Sequence, residues 1–307
     1  MKQIVINKND AGQRLDKFLM KYLVNLPHSM LYKSLRKNCV RINGKHVRDG
    51  GFILKENDVL LLYLRDEFFP VTDFTAGNSD IDIVYEDENI ILINKPRGIV
   101  VHSDDRGTED TLLLRMQSYL YEKGEYDPKS EQSFAPAFCN RLDRNTSGII
   151  IGAKNAAALR IINEKIRNRE IRKFYMCIAE GEMSGNGELS AHLTRGKKKV
   201  SVHDAETDSS KPVKLKYNVL KTKNNLSLLE IELETGRTHQ IRAQLAAKGH
   251  PLLGDRKYGA SDSGKMFLTS YKLKFDFASD AGILNYLSGK EFQIKARFFQ
   301  SFEDEKL

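Results

Sequence analysis

Apolar residues recur at Leu15, Phe18, Leu19 and Tyr22, a spacing that lays one apolar stripe along a helix over residues 12–23. Met30, Leu31 and Leu35 repeat the pattern over residues 29–36, with Ser29 placed to cap it. Residues 39–45 then read as a short strand running into the Asn43-Gly44 turn. Residues 59–64 form a strand-sized apolar run, far short of a membrane span. From 65 to 80 periodicity is lost among Pro, Gly and turn formers, which predicts a linker.

Beyond the linker the pattern changes. Residues 81–85 and 89–94 predict a hairpin around Glu86-Asp87-Glu88, and 111–121 carries helical spacing through Leu112, Leu113, Met116 and Leu120. Residues 148–153 read as a buried strand, 155–167 as a helix and 172–180 as another strand. Residues 211–220 alternate strictly, turn at Asn224-Asn225 and return through 226–234. A last helix is expected over 238–248, ended by Gly249. Many hairpins with a few inserted helices predict an α+β fold with a mainly antiparallel sheet. The expected division is a small α/β domain over 1–65, a linker over 66–80 and a larger domain over 81–307.

Charge sharpens that division. The net charge of +8 is carried by the first 65 residues, which hold 13 Lys and Arg against 5 Asp and Glu, whereas the rest holds 36 of each sign. An excess confined to one end predicts a polyanion-binding module, with a merely solvated basic face as the alternative. Lys33, Arg36, Lys37 and Arg41 lie on or just after the second predicted helix, close enough to form one patch. The apolar start of a signal peptide is lacking, and Cys39, Cys139 and Cys177 are too scattered for a disulfide framework, so a cytoplasmic, monomeric protein with no membrane partner is expected.

No Gly-x-x-x-x-Gly-Lys-Ser/Thr loop, Gly-x-Gly-x-x-Gly fingerprint or metal-ligand spacing occurs, so no nucleotide cofactor and no metal are expected. Three polar segments flanked by apolar runs stand out instead: 94–102, 140–148 and 234–255. Each reads as a loop at the mouth of a buried element, where sites are commonly built. In the second, Asp143 is bracketed by Arg141 and Arg144, and a nearby guanidinium favours a carboxylate able to act as nucleophile or base. Taken alone, Asp143 reads equally well as a surface ion pair.

In order and spacing the three segments resemble the signature motifs of the RluA-type pseudouridine synthases. Arg-Leu-Asp-x-x-Thr-Ser-Gly corresponds to 141–148, Lys-Pro-x-Gly to 95–98, Thr-Gly-Arg-Thr-His-Gln-Ile-Arg to 235–242 and Gly-His-Pro-x-x-Gly-Asp to 249–255. The N-terminal segment resembles the small RNA-binding module of ribosomal small-subunit protein four. Asn140 stands where the family usually has His, and Leu268-Thr269-Ser270 where it has Leu-His-Ala.

The resemblance implies a cofactor-free isomerisation of uridine to pseudouridine in structured RNA, with large-subunit ribosomal RNA favoured. Transfer RNA is an alternative substrate. A non-catalytic assembly factor and a glycoside-type hydrolase are alternatives of other classes. By resemblance Asp143 is the catalytic carboxylate, Arg242 its counter-ion and Tyr175 the ring against the extruded uracil. Arg237 is the second choice as counter-ion and the first as a phosphate contact. Arg141 is expected to fill the space the base vacates, with Arg144 beside it among the RNA-binding cations. Lys95 and His239 are expected at phosphate or in loop ordering.

Overall fold

A computed structural model describes all residues except 24, 70–73, 104–106, 197–198, 262–263, 297–301 and 303–307. Residues 70–73 of the expected linker therefore lie outside the described residues. The chain packs into two compact units. The first contains residues 1–79 together with 116–136 and 154–157, and the second contains 80–115, 137–153 and 158–307.

The first unit begins with β1 (Lys2–Val5), α1 (Leu15–Tyr22), α2 (His28–Arg36), β2 (Val40–Ile42), β3 (Lys45–His46) and β4 (Val59–Leu62). Its four strands form an antiparallel sheet in the order β1-β4-β2-β3. Leu15, Phe18, Leu19, Leu31 and Leu35 from the two helices are at most 1% exposed and meet Leu60 and Leu62 of the sheet. Asn43 and Gly44 turn β2 into β3 with φ of 51° and 80°, the left-handed pair that a tight hairpin requires. Ser29 does not cap α2: Pro27 occupies the cap position in extended geometry and the helix begins at His28. Pro fixes φ near the value needed there and has no N–H to leave orphaned.

The segment expected as a linker is partly packed. Asp66–Phe68 form one 3-10 turn, and Phe69 is buried with its ring edge-on to Tyr22 at 6.2 Å. Phe74 lies against Tyr121 and Tyr126. Aromatic side chains in a polar stretch thus find apolar partners that no local period reveals. Asn9 and Gln13 likewise donate to Glu131 and Ser133, at 3.0 and 3.1 Å, far along the chain.

The second unit is built on one large sheet. Its elements are β5 (Ile83–Glu86), β6 (Ile90–Lys95), β7 (Ala137–Phe138), β8 (Ser147–Ala153), β9 (Ile171–Glu180), β10 (Asn186–Arg195), β11 (Val200–His203), β12 (Lys211–Lys223), β13 (Leu226–Leu233), β14 (Leu268–Phe275) and β15 (Glu291–Gln293). Three helices accompany them in the chain: α3 (Leu112–Glu122), α4 (Ala156–Arg167) and α5 (Gln240–Ala247). The strand order is β11-β10-β12-β13-β9-β14-β8-β6-β5, with β15 paired to β14 and β7 to β8. All pairings are antiparallel except β8 with β14, where Ser147 and Gly148 face Thr269 and Ser270. The expected α+β class with a mainly antiparallel sheet holds. Strands β7, β10, β11, β14 and β15 are not predicted by the sequence pattern, because their burial alternates weakly or their runs are short.

The parallel pair sets where Asp143 emerges. It brings the starts of β8 and β14 side by side, at the end of the sheet where the loop carrying Asp143 enters β8. Gly148 makes that approach possible. Its φ is 111°, and a Cβ there would lie 2.1 Å from the Ser270 carbonyl oxygen, so no larger residue fits.

Candidate active site

Three loops and one strand converge in the second unit on a cleft of about 650 Å³. Asp143, Arg141, Tyr175, Arg237, His239 and Arg242 all line it. The Asp143 loop is fixed from several sides. Thr146 N–H donates to the Asp143 carbonyl at 3.0 Å, and Ile151 N–H donates to Asn140 Oδ1 at 2.9 Å. Asn140 is thus the tie between this loop and β8. The Arg144 carbonyl accepts from Gly98 N–H at 2.8 Å, which joins the loop to the turn after β6.

Lys95 ends β6 beneath that junction. It is fully buried, and its ammonium donates to the carbonyls of Pro96, Ile99 and Arg144 at 2.9, 2.8 and 3.2 Å. Three donors on three carbonyls leave nothing for an RNA phosphate, so of the two expected roles the geometry gives Lys95 loop ordering. Burial pulls its pKa down to about 8, with Asp143 opposing the shift.

The carboxylate of Asp143 pairs with neither of its bracketing arginines among the described contacts. Arg242 Nη1 donates to Asp143 Oδ2 at 3.3 Å, and His239 Nε2 lies 3.6 Å from the same oxygen. Arg141 instead stands exposed on the cleft wall, and Arg144 reaches Thr108 at 3.4 Å. Arg141 shares the cleft with Asp143 but forms no ion pair with it among the described contacts. The partner of Asp143 comes from a helix 99 positions later.

Arg242 is itself clamped. Its Nε and Nη2 donate to Asp255 Oδ2 and Oδ1 at 2.6 and 2.8 Å, and Asp255 is 3% exposed. A planar guanidinium locked by one carboxylate presents its remaining edge to the other in a fixed direction. The Tyr258 ring covers it at 5.1 Å. Tyr258 Oη also lies 2.9 Å from His239 Nδ1 and accepts the Val200 N–H at 3.1 Å. His239 holds a left-handed φ of 54°, which is why α5 starts at Gln240 and not at Thr238. Burial pushes the His239 imidazole down to about 4, with Asp143 opposing, so it is neutral near pH 7. A neutral ring turned toward a carboxylate is poorly suited to holding phosphate. Asp255 and Tyr258 escape the sequence reading: the first sits in a quoted motif without a role, and no motif marks the second.

Gln240 closes the loop before α5 by accepting from the Thr235 hydroxyl at 2.9 Å and from Arg237 N–H at 3.2 Å. The Arg237 side chain remains exposed on the cleft, away from Asp143. Tyr175 projects from β9 and is 6% exposed. Burial, reinforced by the Asp143 charge, raises its hydroxyl to about 12. Phe174 faces the other way, under the cations of Lys272 and Arg172 at 4.4 and 5.1 Å. His102 lines the cleft, and burial followed by the Arg141 charge lowers its pKa. In the first unit Lys33, Arg36 and Lys37 are exposed on and after α2, whereas Arg41 is half-buried with its guanidinium 5.4 Å from the Tyr63 ring. Among the described residues no helix is long and apolar enough to cross a membrane.

Comparison with known proteins gives the family of the chain. Residues 89–247 match the RNA pseudouridylate synthase family and residues 13–60 match the S4 domain. A Mycoplasma capricolum protein named as an uncharacterized RNA pseudouridine synthase is 33% identical over 303 residues, covering 94% of this chain and 96% of that one. Ribosomal large subunit pseudouridine synthase C of Haemophilus influenzae is 27% identical over 320 residues, covering 96% of this chain and 94% of its own. The solved structure of human RNA pseudouridylate synthase domain containing 4 shares the fold, with a TM-score of 0.57 at 19% identity over 71% of this chain and 90% of that one. With the synthase match spanning half the chain and relatives aligned nearly end to end, the chain belongs to the RNA pseudouridylate synthase family and is an RNA pseudouridine synthase with an N-terminal S4 domain.

Proposed function

We propose that the protein converts specific uridines of large-subunit ribosomal RNA to pseudouridine, with the Asp143 carboxylate opening the glycosidic bond and no cofactor taking part. The observation that carries this reading is the Asp143–Arg242–Asp255 chain at a cleft that also holds Tyr175. Opening the bond builds positive character on the ribose, which a carboxylate beside C1′ stabilises. Attack at C1′ and removal of a ribose proton both begin from this carboxylate in this orientation. Arg242 offsets its charge and holds its direction. The base stays bound, rotates and rejoins C1′ through C5. The C5 proton leaves and N1 gains one, so the reaction balances without a redox partner or energy source.

In this reading the target uridine leaves its stack to reach the cleft. Tyr175 lies against the uracil, Arg141 fills the vacated stack, and Arg237 and Arg144 meet the backbone. Lys33, Arg36, Lys37 and Arg41 hold RNA at the S4 domain. The division into an RNA-binding domain over 1–65, a linker over 66–80 and a catalytic domain over 81–307 belongs to the same proposal, as do a monomeric state and a cytoplasmic setting. Ribosomal RNA is preferred over transfer RNA because several similar proteins are named as large-subunit enzymes.

The experiment is to map pseudouridines in RNA from cells lacking the protein, then restore either wild type or Asp143→Asn. Wild type should return the missing sites and the Asn variant none. Sites lost from transfer RNA alone would shift the substrate. Full restoration by Asp143→Asn would remove the carboxylate from the mechanism, and loss of no site at all would favour an assembly factor.

A further inference from the structure

Among the described residues of the second unit, buried cations are matched with partners, with one exception in the cleft. Lys165 faces Glu170 at 2.7 Å, Lys95 faces three carbonyls and Arg242 faces two carboxylates. Lys173 is 8% exposed and lines the cleft, yet among the described residues its ammonium has no hydrogen-bond or ion-pair partner. Burial lowers its pKa with no carboxylate opposing the shift. A largely desolvated charge without a counter-ion is unfavourable. Such a group is kept where a ligand completes it.

Its position says what that ligand offers. Side chains alternate along a strand, so Lys173 and Tyr175 project from the same face of β9 into the same cleft. Tyr175 pairs with Ser270, which faces Gly148 where the Asp143 loop enters β8, whereas Lys173 pairs with Leu273, farther along β14 from that loop. Lys173 therefore stands beyond Tyr175 as seen from the carboxylate. With C1′ at Asp143 and the uracil ring against Tyr175, the ammonium meets the edge of the base farthest from the sugar. Uracil carries O4 there. A phosphate would stay with the chain at the rim, where Arg141 and Arg237 are exposed.

We propose that Lys173 is a further catalytic residue, whose ammonium donates to O4 of the flipped uracil and stabilises the negative charge the base acquires when its bond to ribose opens. This rests on the reading of Asp143 given above. When the C1′–N1 bond breaks, its electron pair passes to the uracil and spreads over N1, O2 and O4. Lys173 forms no covalent bond and keeps its proton throughout. The contact strengthens as charge develops, which raises the rate of the chemical step more than it tightens binding. It also favours uracil over cytosine, since an ammonium has donors only and cytosine presents an amino group in place of O4.

The test uses full-length protein and a short RNA around a uridine mapped as above, under single-turnover conditions. Lys173→Met should lower the rate roughly 10²-fold, with RNA affinity unchanged and the melting temperature equal to or above wild type, because an unpaired buried charge is gone. Lys173→Gln, which keeps a donor without the charge, should fall between and serves if the Met variant fails to fold. Replacing the target by 4-thiouridine should slow wild type and leave Lys173→Met no slower, whereas 2-thiouridine should not discriminate between the two. A wild-type rate in both Lys173 variants while Asp143→Asn is inactive overturns the proposal. Weakened RNA binding with an intact rate at saturation also overturns it, in favour of a phosphate contact. If Asp143→Asn is itself active, it is the underlying reading that fails, whatever Lys173 does.

Discussion

Arg242 shows how much of the site depends on the shape of one side chain. It touches Asp143 with one nitrogen and Asp255 with two, at 3.3, 2.6 and 2.8 Å, so its plane is fixed before RNA arrives. Lysine would keep the charge but not the fork, and could not span both carboxylates. Arg242→Lys should therefore leave RNA affinity close to wild type and lower the single-turnover rate roughly 10²-fold, the scale of a small misplacement of a reacting group. Equal rates for the two proteins would show that charge alone suffices. Asp143 and Arg242 were singled out in the sequence by the resemblance of Arg141–Gly148 and Thr235–Arg242 to the synthase motifs. The resemblance named Arg242 as the counter-ion of Asp143, but nothing in the sequence gave Asp255 its role as the clamp on the other side of that guanidinium.

At the level of elements, the buried pair Lys165–Glu170 ties the end of α4 to the chain after β14. Lys165 donates to Glu170 at 2.7 Å and to the Ser279 carbonyl and hydroxyl, both at 2.7 Å. Ala278 N–H also donates to Glu170, at 2.9 Å. The Lys165 hydrogen bond, followed by these backbone donors, holds the Glu170 carboxyl at about 2, below its ordinary 4.5. A carboxyl with a lowered folded-state pKa contributes stability above its unfolded value and loses it as pH falls. The contribution should thus fade between about 4.5 and about 2. Glu170→Gln should be less stable than wild type at pH 7 and should lose less stability across that acid window, as followed by thermal melting. Lys165→Met should cost about 3 kcal/mol, since it strands a buried carboxylate. The helix α4 was legible from its period. This tie was not, because Ser279 lies 114 positions from Lys165.

Over the whole molecule, charge is divided by sequence region: the surplus of 8 sits in the first 65 residues and the remainder is balanced. The S4 match at 13–60 falls inside that basic stretch. Every phosphate that a protein neutralises adds about 0.7 to 0.9 to the slope of log K against log salt. Neutralising Lys33, Arg36 and Lys37 to Gln should weaken RNA binding and reduce the slope by roughly 2 to 3, while the rate at saturating RNA stays as in wild type. An unchanged slope would make the patch a solvated face.

Local information carried far in this chain. The stripes of α1 and α2, the Asn43-Gly44 turn and the alternation of β12 and β13 follow from residues a few positions apart, whose spacing sets which face is apolar. Asp143, Tyr175 and Arg242 were singled out by resemblance to the synthase family, not by spacing alone. Tertiary structure decided what local spacing does not encode. It placed β8 parallel to β14 through Gly148, packed Phe69 and Phe74 against distant rings in a stretch that reads as polar, and enclosed Lys95 under three carbonyls. It also left Lys173 enclosed without a counter-ion among the described residues. Burial and pairing are properties of residues brought together from distant parts of the chain, so a lysine that orders a loop, one that closes an ion pair and one that faces the cleft look alike until the chain is folded.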